Sequence, residues 1–162
     1  MKIWGMLVSG VMIIGVASAY VDTRGSVFEN LAMMRHGYTD LTINGQDQFQ
    51  VRVIKQSSNA LVVVKIFAQQ SMQSLLLRKP YYALANELKP QLGEKLVCLE
   101  MDLFGGGNEN YEVIMQCMSS QGIQSMALPV FLFFKRGSLC EVIANQADPL
   151  QSVRACIATH CV

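Results

Sequence analysis

Residues 61–68 read LVVVKIFA, seven apolar positions around one lysine, Lys65. Valine or isoleucine stands at four of the eight. So short a run, so rich in β-branched side chains, predicts a strand. Its lack of polar alternation predicts a central parallel strand covered on both faces. A lysine inside such a strand needs an anionic partner, because an unpaired buried charge is strongly destabilising. The other reading of Lys65 is that it snorkels out at a sheet end.

Downstream, residues 71–92 predict a helix with Leu75, Leu76, Tyr82, Leu84 and Leu88 on its apolar side and a kink at Pro80. KLVCLEMDLF, residues 95–104, predicts a second strand. GGGNEN follows without the Gly-Lys-Ser/Thr of a phosphate loop and reads as a connection. Residues 111–120 predict a helix, and PVFLFFKRGSLCEVIA, residues 129–144, splits at 135–138 into the two strands of a hairpin. A last helix over 150–158 has Asp148 as its cap and Pro149 in its first turn. Upstream, residues 41–43 allow a short edge strand. Residues 47–55 allow a helix or, from Phe49, Val51 and Val53, an alternating strand. From residue 60 the order is β, α, β, α, β, β, α, which predicts a mixed sheet with helices on both faces.

This order, with a proline directly before the hairpin, resembles the thioredoxin superfamily over about residues 40–158. LVVVKIFA is similar to the strand entering that family's active site, KLVCLEMDLF to the next strand, and MALPVFLFFKRGS to the proline-led hairpin. LTINGQDQFQ resembles the family's first strand and helix, which favours helix for residues 47–55. The resemblance implies an α/β, thioredoxin-like fold: a central mixed sheet, parallel βαβ plus C-terminal hairpin, flanked by helices. It also implies a cis bond before Pro129, with the Leu128–Pro129 edge beside the active-site turn and open to extended peptides.

The family's Cys-x-x-Cys falls on Ser71, Met72, Gln73 and Ser74 when counted from the strand, or on residues 72–75 when counted back from Pro80. Neither register holds a cysteine. Disulfide exchange needs a thiolate, which a serine hydroxyl cannot replace. The turn therefore reads as a degenerate active site without catalytic residues, in which Ser71 serves as a helix cap. The family's buried aspartate and neighbouring lysine fall on Lys65 and Glu100, so the charges have changed places. The resemblance implies a swapped, structural ion pair.

The first 19 residues, MKIWGMLVSGVMIIGVASA, carry one basic residue, an apolar run from 3 to 16, and the small-x-small pattern Ala17-Ser18-Ala19. They predict a cleaved signal peptide with Tyr20 as the mature N-terminus; an uncleaved anchor is the other reading. Residues 20–39 form an N-terminal extension, with an amphipathic helix over 27–35 (Val27, Leu31, Met34) ended by His36-Gly37, and residues 40–162 form the domain. Of 13 basic residues only Lys2 lies in the leader, which leaves the rest at parity with the 12 acidic ones. That balance argues against nucleic acid or an anionic membrane surface as partner. The sequence contains no Asn-x-Ser/Thr sequon, and export to a bacterial periplasm is the expected localisation.

Five cysteines remain: Cys98, Cys117, Cys140, Cys156 and Cys161. Cys98 reads as a buried small hydrophobe. Cys140, Cys156 and Cys161 are candidates for a disulfide in any pairing. With only His36 and His160 in the chain, CIATHC gives little basis for zinc, and neither metal nor cofactor is expected. Met72 and Met126 flank the degenerate turn and read as core or as an adaptable contact surface. The expected function is protein contact, as a subunit or accessory factor of a bacterial cell-envelope assembly such as a secretion or conjugation system. The alternatives are a thiol-disulfide oxidoreductase working through Cys117 or Cys161, and a periplasmic chaperone.

Overall fold

A computed structural model of the chain describes residues 41–161 apart from Gly106, Ser125 and Asn145. The expected signal peptide and cleavage site and the amphipathic helix read over residues 27–35 lie outside the described residues.

Helix α1 (Gly45–Phe49) runs on through wider π-type turns (Gln50–Lys55) and a 3₁₀ turn (Gln56–Ser58). Phe49 and Val53, four residues apart, are buried, and Val51 between them is exposed. The helical period therefore decides a segment whose sequence also carries a period of two. Strand β1 (Leu61–Phe67) follows, buried at every position. Helix α2 (Met72–Leu76) and helix α3 (Arg78–Leu92) then replace the single kinked helix. The break falls at Leu77, with φ −84° and ψ −2°. Pro80 has no N–H for the carbonyl of Leu76, so the chain departs from helical geometry one turn before the proline.

Strand β2 (Leu96–Asp102) pairs in parallel with β1, Lys65 opposite Glu100. Helix α4 (Asn108–Ser119) leads to strands β3 (Val130–Lys135) and β4 (Ser138–Ile143), both antiparallel to their neighbours. Arg136 and Gly137, with φ of 55° and 77°, make the two-residue turn between them. Helix α5 (Pro149–His160) closes the domain, and Asp148 caps it by accepting from the Gln151 N–H at 3.0 Å.

The sheet order is β2-β1-β3-β4. Thr42 adds a single parallel bridge to Glu100 on the outer edge of β2, so the edge strand expected at 41–43 is reduced to one pairing. Alternation along β1 divides the core. Val62, Val64 and Ile66 pack with Phe49, Val53, Val113 and Ile114 from α1 and α4. Leu61 and Val63 pack with Tyr81, Leu84, Val153 and Ile157 from α3 and α5. Helices therefore cover both faces of a mixed α/β sheet. Among the described residues no helix is long and apolar enough to cross a membrane.

Candidate functional site

The register brings three chain segments to one end of the sheet. Phe67 pairs with Asp102, so the turn 68–71 leaves β1 where the loop after β2 begins. Ile66 pairs with Val130, which places Leu128 and Pro129 at that same end. The Leu128–Pro129 peptide is cis. Pro129 is buried and Leu128 partly buried against the α1 and α4 core.

Ser71 takes an extended backbone and caps α2, its hydroxyl accepting from the Ser74 N–H at 3.3 Å. Ser74 is fully buried, and its own hydroxyl has no hydrogen-bond partner. Met72 and Gln73 face outward, and Met126 packs against the core. Leu76, one turn after Met72, is also exposed. Across the sheet end the ring of Phe104 stacks on Tyr111 at 6.4 Å, and both are exposed.

Beneath this surface, on the α3 face of the sheet, lies a buried charge cluster. Lys65 and Glu100 are completely buried with Nζ 3.9 Å from Oε2, which excludes the snorkelling reading. That separation is an ion pair without a hydrogen bond, and the Lys65 ammonium has no hydrogen-bond partner. Its other neighbours are π faces, with the Phe67 ring centroid at 5.2 Å and that of Tyr81 at 6.0 Å. The carboxylate belongs to Arg78. Nε donates to Oε1 at 3.0 Å and to Oε2 at 3.2 Å, and Nη2 donates to Oε1 as well. Tyr82 donates to Oε1 at 2.5 Å, and Thr42 adds a longer bond at 3.3 Å.

One carboxylate thus faces two cations. Burial draws the Lys65 pKa down to about 8; Glu100 opposes that shift and Arg78 adds to it. Burial, then the charge of Glu100, pushes the Tyr82 phenol upward, so it stays protonated and donates. The cluster fixes α3 to the sheet and offers no nucleophile to solvent. Sequence reasoning missed Arg78, Tyr82 and Thr42. A signal for two of them was present: Ser74, Arg78 and Tyr82 recur every four residues, which on one continuous helix would share a face.

All five cysteines carry free thiols, and none lies in the turn. Burial raises each of them, Cys98 to about 12. His160 lies at the far end of the sheet, where its carbonyl accepts from Lys135 at the end of β3.

Neither a protein-family model nor a curated protein matches the chain. Its structure is similar to a thioredoxin of Malassezia sympodialis, with TM-score 0.54 and 24% identity over 75% of this chain and 90% of that one. A thioredoxin of Nicotiana alata matches with TM-score 0.54 and 18% identity, over 75% and 93% of the two chains. A point mutant of a thioredoxin from Halobacterium salinarum matches with TM-score 0.52 and 17% identity, over 75% and 90%. The chain has the thioredoxin fold.

Proposed function

We propose that the chain is an exported protein that works by contact with other proteins at the sheet end where β1 and β2 emerge. Met72, Leu76, Phe104 and Tyr111 carry this reading. They are four of the five large hydrophobic side chains exposed among the described residues, at 68%, 70%, 53% and 43%. All four belong to segments leaving β1 or β2 at that end. Phe104 stacks on Tyr111, and Met72 and Leu76 lie one turn apart on α2; exposed apolar side chains grouped in this way, instead of scattered singly, mark an interaction surface. The adjoining Leu128–Pro129 backbone suits an extended partner segment.

The leader-like first 19 residues support export, and a bacterial cell-envelope assembly, such as a secretion or conjugation system, is the setting we infer for the partner. Serine at positions 71 and 74 speaks against disulfide exchange at the turn. The raised thiols of Cys117 and Cys161 speak against their use as redox nucleophiles, because exchange proceeds through the thiolate. The reading is tested by capturing partners of the full chain from its native envelope, alongside a variant with charge placed on Met72 and Leu76.

A further inference from the structure

Cys156 and His160 stand four residues apart on α5 and share one helical face. Glu141 on β4 faces them because of a bulge: Phe134 pairs with Leu139 and Phe133 with Glu141, leaving Cys140 as the extra residue. Phe133 and Ile143 belong to the core under α3 and α5, whereas Leu139 and Val142 pack on the other face. The extra residue therefore shifts Glu141 onto the α5 side. There its carboxylate, the Cys156 thiol and the His160 imidazole place their ligating atoms within 4.8 Å of one another.

We propose that Glu141, Cys156 and His160 form a three-ligand site for a divalent transition metal of the zinc class. The donor set is one sulfur, one nitrogen and one oxygen, each a normal zinc ligand. Zinc bonds of about 2.0–2.3 Å put tetrahedral donors about 3.5 Å apart. Rotation of the three side chains would close the remaining distance. Three protein ligands leave the fourth position to water or an added ligand, as in zinc sites that do chemistry.

On ligation the Cys156 thiol gives up its proton to become the thiolate ligand. Lys135 donates to the backbone carbonyl of His160, not to its imidazole. The site lies at the opposite end of the sheet from the degenerate turn and does not depend on the contact function.

Titration of the reduced full chain with Co²⁺ tests the site. One equivalent should produce the intense visible bands of tetrahedral cobalt together with a thiolate-to-cobalt charge-transfer band, both displaced by Zn²⁺. Cys156→Ser should remove the charge-transfer band. His160→Gln, at the last residue of α5, should weaken affinity more than about 100-fold, beyond the 10–100-fold that loss of a supporting outer-shell group costs. Glu141→Gln should weaken it in the same direction, and Cys98→Ser should leave the spectrum unchanged. The proposal is overturned by an octahedral spectrum, or by bands that survive both Cys156→Ser and His160→Gln in folded protein.

Discussion

Arg78, not Lys65, holds the carboxylate of Glu100: its Nε lies at 3.0 and 3.2 Å from the two oxygens, while the Lys65 ammonium stands off at 3.9 Å. A residue outside the pair implied by resemblance therefore anchors α3 to the middle of the sheet. Replacing Arg78 by Ala, or Glu100 by Gln, leaves buried charge without its hydrogen-bonded partner. Each should cost about 3–5 kcal/mol in urea unfolding. A loss below about 1 kcal/mol for both would show that the cluster does not anchor the helix.

Lys65 should behave in the opposite way. Its ammonium is buried without a hydrogen bond, so Lys65→Met exchanges a desolvated charge for a fitting apolar chain and should raise stability at pH 7. Its pKa is about 8 in the folded chain against an ordinary 10.5. Below about 8 both folded and unfolded states hold the proton, and the burial cost is complete. Between 8 and 10.5 the unfolded chain binds more protons, so the Lys65 contribution to stability rises with pH. The advantage of Lys65→Met should therefore shrink across that window by at most about 3 kcal/mol. Glu100, Arg78, Tyr81, Tyr82 and Cys98, which surround the amine or its partners, are present in both proteins. Denaturation of both proteins from pH 7 to 11 measures it, and a gap independent of pH would refute the assignment.

How far the sequence carries such an account depends on the range of each interaction. LVVVKIFA, the two-residue turn at Arg136-Gly137 and the Asp148 cap are legible because composition, turn chemistry and capping act within a few residues. Residues 47–55 are ambiguous because Phe49, Val51 and Val53 satisfy both periods, and only packing against β1 and α4 selects the helix. The Arg78–Glu100 contact spans 22 residues and forms only once α3 packs on the sheet. The Glu141 carboxylate meets Cys156 and His160 only because one bulged residue, Cys140, turns β4 over. A strict alternating reading counted from Leu139 would send Glu141 to the other face.

The turn itself should be chemically silent. The wild-type chain should not reduce insulin disulfides, because its thiols lie elsewhere and are held protonated. In Ser71→Cys/Ser74→Cys the two new thiols should differ. Position 71, partly exposed, should alkylate at least roughly tenfold faster than buried position 74, as access governs thiol reaction. Insulin reduction by the wild type that disappears on mutating Cys117 or Cys161 would establish the oxidoreductase alternative.

The contact surface is tested most directly by capture of the tagged full chain from its native envelope, with Met72→Glu/Leu76→Glu in parallel. Both side chains are more than two-thirds exposed, so the double variant should unfold within about 0.5 kcal/mol of wild type per site. The account predicts a specific protein partner retained by the wild type and depleted at least tenfold by the variant, about 1.4 kcal/mol of binding energy. Recovery of the wild type as a monomer without partners, or of the same partner equally well with both chains, would contradict it.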